Sequence, residues 1–125
     1  MSATPEELMI CAEKLLGNAD TEADYRAMCS RAYYAAYHAT YAFHKALAVP
    51  GSVVRASGSH EQLVSQLLNP GVKDANAPRS RALGKNMLGL LATRIEADYH
   101  LQASIDKHRA QATLQSARVT VDQSK

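Results

Sequence analysis

Between Arg94 and His100 the chain carries a guanidinium, a carboxylate at Asp98, a phenol at Tyr99 and an imidazole. Arginine grips two phosphate oxygens with its planar fork. Histidine exchanges protons near neutral pH. Arg94 and Asp98 stand four apart, the spacing of an ion pair on a helix. Tyr99 reads as a packed, hydrogen-bonded core residue. A second group of cations, Arg79, Arg81 and Lys85, opens the same predicted helix. Cations near a helix N-terminus oppose its dipole, so an external anion is one fitting partner and a solvated face the other. Arg31 is placed to meet a phosphate, a carboxylate of the first helix or a tyrosine ring. His38 and His44 lie six apart, which does not bring them to one face of a helix, so no metal site is expected from them. His60 follows a cap and reads as structural. No cofactor is expected.

These residues need helices to position them, and the chain reads as helical throughout. Thr4 is an N-cap followed by Pro5, with Glu7 at capping-box spacing. The first helix runs over 5–17, with Leu8, Cys11, Ala12, Leu15 and Leu16 as its apolar stripe. Gly17-Asn18 ends it through a left-handed glycine. Asp20 or Thr21 caps a second helix over 22–47, which Pro50-Gly51 stops. Ser59 caps a short third helix carrying Leu63, Val64, Leu67 and Leu68, and Asn69-Pro70-Gly71 closes it. The fourth begins near Arg79, after Pro78, with Leu83, Met87, Leu90 and Leu91 on its core side. A break falls between Tyr99 and Ala103. Ser104 then caps a fifth helix over 105–120 that presents Ile105, His108, Ala112 and Val119, and residues after Val121 fray. No stretch alternates with period two long enough for a strand. The expected fold is all-α, an up-and-down antiparallel bundle of four to five helices.

The chain has 125 residues, 46% of them apolar, so it is expected to form one domain with a real core. No apolar run approaches the length of a membrane span, and the acidic N-terminus lacks a signal-peptide pattern. A cytoplasmic location without membrane contact is expected. Cys11 and Cys29 lie at similar distances from the turn between the first two helices. Contact is possible there, but two small buried hydrophobes is the preferred reading. The net charge of +2 hides an asymmetry. Residues 1–25 hold six acids against Lys14, and residues 26–94 hold nine bases against Glu61 and Asp74. Such a basic middle fits a nucleic-acid or phosphate binder, and equally solvated helix faces.

The most distinctive stretch, Ser30-Arg31-Ala32-Tyr33-Tyr34-Ala35-Ala36-Tyr37-His38-Ala39, alternates alanines with tyrosines on the longest helix. It resembles the second-helix signature of HEPN domains, in the branch of small single-domain prokaryotic proteins. Gly58-Ser59-His60 resembles that branch's entry to the third helix. Arg94-Ile95-Glu96-Ala97-Asp98-Tyr99 resembles the end of its fourth. The resemblance covers nearly the whole chain from about Ala23. It implies a helical bundle that forms a homodimer, similar to metal-independent endoribonucleases that act as toxins beside a minimal nucleotidyltransferase antitoxin. The nuclease members carry Arg, four to six residues, then His, and Arg94 and His100 fit that spacing. Asp98, Tyr99 and Arg31 are supporting candidates, with Arg79, Arg81 and Lys85 for RNA phosphates. Near this motif a tyrosine is modified by the partner in related pairs, which makes Tyr99 a candidate for that too.

Cleaving RNA without a metal needs a base for the ribose 2′-hydroxyl, an acid for the leaving oxygen and a cation for the phosphorane. One chain supplies one Arg94–His100 pair, and a two-fold dimer supplies two. On a continuous helix the pair would stand about 120° and about 9 Å apart. Convergence therefore requires the helix to end near Tyr99, or a partner subunit to provide one member. The alternative function is a non-catalytic interaction module that docks a nucleotide or a nucleotidyltransferase.

Overall fold

A computed structural model describes residues 3–125. Five helices account for its regular structure: α1 (Pro5–Gly17), α2 (Glu22–Lys45), α3 (Ser59–Leu68), α4 (Asn76–Tyr99) and α5 (Lys107–Gln123). The all-α bundle expected from the sequence is present. α1, α2, α4 and α5 alternate in direction, and α3 lies against α4 and α2 beside them. No described helix is long and apolar enough to cross a membrane.

α2 is the central post because its small residues let neighbours close in. Ala32, Ala35 and Ala36 are fully buried, as are Met28, Cys29 and Tyr33. Each large apolar side chain buried in this way contributes roughly 1.5–3 kcal/mol. Met9 and Ala12 of α1, Leu83 and Met87 of α4, and Ala110 and Ala117 of α5 close around it. α3 and α4 approach closely at Gly84, where an added Cβ would come within 2.9 Å of the Leu68 side chain.

One position on α2's core face is charged. Arg26 is only 8% exposed. Its guanidinium donates to the carbonyls of Glu96 (3.0 Å), Ala97 (3.1 Å), His100 (3.1 Å) and Leu101 (3.2 Å), and to that of Ala103. The last carbonyls of a helix have no partner within it, and Arg26 supplies one to Ala97 and a second donor to Glu96, which also accepts the His100 N–H. Glu22 completes the arrangement. Its carboxylate takes Arg26 Nη2 at 2.8 Å and the backbone N–H of Ile105 at 3.1 Å. Arg109 of α5 pairs with Glu96 at 2.7 Å, so both sides of the α4–α5 turn are held. At the opposite end Arg118 joins α5 to Glu6 and Glu13 of α1 at 2.9 and 2.6 Å.

Several local expectations are corrected. Cys11 is exposed and only Cys29 is buried, both as free thiols. Met9 and Ala12 center the core face of α1, and Cys11 lies about 200° around from Met9. No described residue has positive φ, so α1 does not end through a left-handed glycine. Asn18 closes it by donating its side-chain amide to the Lys14 carbonyl at 3.0 Å. Gly58, not Ser59, precedes α3, and Glu61 reaches back to the Ser57 N–H at 3.0 Å. α4 starts at Asn76, because Pro78 is tolerated in a first turn that needs no N–H there. Asp106, not Ser104, caps α5, accepting the Arg109 N–H at 2.8 Å. Ile105 is buried but precedes the helix, so it does not share a helical face with His108, Ala112 and Val119. The buried residues of α5 are Ala110, Thr113, Ala117, Thr120 and Val121, while His108 and Ala112 face solvent. α5 continues to Gln123.

Replacing Arg26 leaves the carbonyls of Ala97, Leu101 and Ala103 without a protein donor among the described residues, while those of Glu96 and His100 keep the N–H groups of His100 and Ala103. Arg26→Ala is expected to lower unfolding free energy by about 3 kcal/mol in urea titration. Arg26→Lys should recover little, because an ammonium cannot span the same acceptors.

The Glu22 carboxyl lies below the ordinary 4.5, held down by the Ile105 N–H and by Arg26. Asp24 is lowered by the N–H groups of Asp20 and Thr21. Depressed carboxyls stabilise the fold above their unfolded values and stop doing so as pH falls through the folded ones. Stability is therefore expected to fall on acidification below about pH 4.5. Hydrogen exchange should show the turn at 100–106 opening early in that range.

Candidate functional site

The tyrosines of α2 and the end of α4 face each other across a short gap that the N-terminus of α3 closes. Arg94 projects from α4 into this place, and its side chain is 14% exposed. Nη2 donates to the Tyr34 hydroxyl at 3.1 Å. Nε lies 3.0 Å from Asp98 Oδ2, but its N–H is not aimed for a hydrogen bond, so the contact is ionic. The guanidinium carbon sits 5.9, 5.5 and 5.4 Å from the ring centers of Tyr33, Tyr34 and Tyr99. Such cation–π contacts orient the guanidinium as well as hold it. Asp98 is steadied by Ser30, whose hydroxyl donates at 3.3 Å. The expected four-apart pair of Arg94 and Asp98 is thus present, with a tyrosine cage added.

His60 reaches the same cluster from the first turn of α3. Its Nδ1 shares a 2.6 Å hydrogen bond with the Tyr33 hydroxyl. Its ring center lies 4.7 Å from that of Tyr37 and 5.9 Å from that of Tyr34. Burial holds this imidazole below its ordinary 6.5, and the positive charge of Arg94 and the nearby His38 push the same way. Burial also pushes the Tyr33 hydroxyl's pKa upward, so it stays protonated. A depression of about 190 Å³ opens beside Arg94, walled by His60, Glu61, Leu91 and Ile95.

The other candidates are placed differently. α4 ends at Tyr99 and His100 is its C-cap, with φ −119° and ψ 79°. The helix therefore ends where convergence with Arg94 requires it. The His100 carbonyl accepts from Arg26, while its exposed side chain meets no polar partner among the described residues. Within one chain, the histidine beside Arg94 is His60. Tyr99 is 68% exposed rather than packed in the core, because it stands on the last turn of α4. Arg31 is exposed and meets none of its expected partners within the described chain. Arg79 is satisfied internally, donating to the carbonyls of Gln123 (2.8 Å) and Lys125 and lying 4.8 Å over the Phe43 ring. Arg81 and Lys85 are exposed without polar partners among the described residues. No cluster suited to a metal occurs among the described residues.

Arg26 is not among the candidates the sequence offers; it shares the core face of Cys29, Tyr33 and Ala36, and an arginine at an apolar position of a helix is its signal. His60 holds Tyr33 as a structural residue would, and only its partners, distant in sequence, are not legible locally. No family model matches the chain, and neither a curated protein nor a solved structure does.

The proximity of Arg94 and His60 is directly testable. Arg94→Gln removes a positive charge that opposes imidazole protonation. The His60 ring is expected to titrate closer to 6.5 when followed by NMR, and an unchanged titration would contradict the arrangement.

Proposed function

We propose that the chain is a HEPN-like protein that dimerises along α4, binds RNA and cleaves it without a metal, as the toxin of a toxin–antitoxin pair. The observation that carries the reading is an apolar stripe left open on α4. Leu88, Ala92, Ile95 and Tyr99 recur at heptad spacing, and Leu88, Ile95 and Tyr99 are 56%, 37% and 68% exposed. The stripe runs to the end of α4 that bears Arg94 and His100. Two copies meeting along it about a two-fold axis would bring two Arg94–His100 pairs to one seam. The Ser30–Ala39 and Arg94–Tyr99 motifs support the same assignment.

In this mechanism one His100 takes the ribose 2′-hydroxyl proton and the oxygen attacks phosphorus. The bond to the 5′-oxygen breaks as the second His100, protonated, gives that oxygen its proton. Arg94 stabilises charge on the phosphorane, and the product carries a 2′,3′-cyclic phosphate. Arg81 and Lys85 extend along the same open face of α4 and suit flanking phosphates. A protein that cuts RNA in its own cell needs restraint, and a nucleotidyltransferase partner that modifies Tyr99 before two copies close over it fits that need.

A second reading has its own observation. Arg94 is already engaged by Asp98, Tyr34 and three tyrosine rings, as in a scaffold residue. On that reading the protein is a dimeric module that docks a nucleotide or a partner protein and cuts nothing.

Incubating purified protein with RNA in EDTA separates the two. Cleavage to cyclic phosphate ends is expected, with a loss of about 100-fold or more in both Arg94→Ala and His100→Ala. Activity surviving both substitutions would overturn the assignment. Stable dimers without cleavage would select the second reading.

A further inference from the structure

A groove of about 610 Å³ runs between α2 and α3, on the other side of the tyrosine cluster from Arg94. Its volume lies within the usual range for small-molecule sites. Tyr37 and Tyr41 form one wall, stacked with ring centers 6.3 Å apart and planes 18° from parallel. His38 stands beside them, itself stacked with Tyr34 at 6.4 Å. Gln62 and Gln66 of α3 line the facing wall, and Lys45 closes one end. His44 also borders the groove, but its Nε2 accepts the Gly51 N–H at 2.9 Å, so it holds the loop in place. No carboxylate lines the groove.

Each part points to the same ligand chemistry. Flat aromatic faces stack nucleobases of any sequence. Carboxamides offer both donors and acceptors to a base edge. A lysine without a competing acid suits a phosphate. Tyr41 is 44% exposed and Lys45 is exposed, so both present ligand-accessible surface. Lys45 Nζ lies 5.5 Å over the Tyr41 ring, so the cation and the stacking surface share one place in the groove.

We propose that this groove binds a nucleobase together with its phosphate, with Tyr41 and Tyr37 as the stacking platform and Lys45 as the phosphate contact. The choice of a ribonucleotide rests on the RNA-binding reading above. The groove is separate from the Arg94–His100 end of α4, so it would hold a nucleotide flanking the cut rather than the scissile one.

The test uses a fluorescein-labelled octamer of 2′-O-methyluridine, which lacks the attacking hydroxyl and survives incubation, and free uridine monophosphate as competitor. Full-length protein is titrated by fluorescence anisotropy. Tyr41→Ala and Lys45→Glu are each expected to weaken octamer binding about tenfold, with thermal melting checking that both variants fold. Lys14→Glu, on α1, should bind as the unaltered protein does. Competition by uridine monophosphate would show that the site accepts a free nucleotide. Octamer binding without such competition would show that it takes RNA only. Binding unchanged in both groove variants, an equal loss in Lys14→Glu, or no binding of either probe would overturn the proposal. A tenfold binding loss in a protein that never cleaves RNA would overturn the nuclease reading and leave this site standing. Cleavage with unaltered groove binding would do the reverse.

Discussion

The structure depends on a buried arginine that terminates a helix it does not belong to. Arg26 of α2 gathers carbonyls from the last turn of α4 and the turn that follows. Removing a guanidinium from water is costly unless its donors are all engaged, and here the main chain and the Glu22 carboxylate engage them. The arrangement works in both directions. The arginine is accommodated in the core because α4 stops beside it, and α4 stops there because the arginine takes its free carbonyls. Glu22 extends the same control to Ile105, which delays the start of α5 until Asp106.

That constraint places the candidate chemistry. With α4 ended at Tyr99, His100 leaves the helical path while Arg94 stays one to two turns back, facing the α2 tyrosines. The alternation of alanine and tyrosine on α2 serves two purposes. Alanines bring α1 and α5 close, and tyrosines turned toward α3 and α4 build the Arg94 cage and the wall of the α2–α3 groove. A tyrosine is well suited to this position because its ring packs while its hydroxyl meets a polar partner. Tyr33 and Tyr34 do so with His60 and Arg94.

Local rules were readable from the chain, and long-range ones were not. Thr4, Pro5 and Glu7 announced the start of α1, and the Thr4 hydroxyl does accept the Glu7 N–H at 3.1 Å. The helical class and the Arg94–Asp98 pair followed from periodicity and spacing. The start of α5 did not, since Ser104 and Asp106 are both capable caps and the choice is made by Glu22, 83 positions away from Ile105. The same reason hid the partner of His60, the Tyr33 hydroxyl 27 positions away. Arg79 looked unpaired because its acceptors, the carbonyls of Gln123 and Lys125, lie at the far end of the chain. Tyr99 is of a type that packs well in a core, but its place on the final turn leaves it exposed.

The central functional claim is that two copies meet along α4, which turns one Arg94–His100 pair into two. Symmetric disulfide trapping measures this directly. An Ile95→Cys chain in a Cys11→Ser background is oxidised at micromolar concentration and separated without reductant, leaving buried Cys29 in place. The account predicts a covalent dimer at Ile95→Cys and none at an equivalent cysteine on the outer face of α1, such as Lys14→Cys. A chain that stays uncrosslinked at Ile95→Cys, and sediments as a monomer at that concentration, would contradict it.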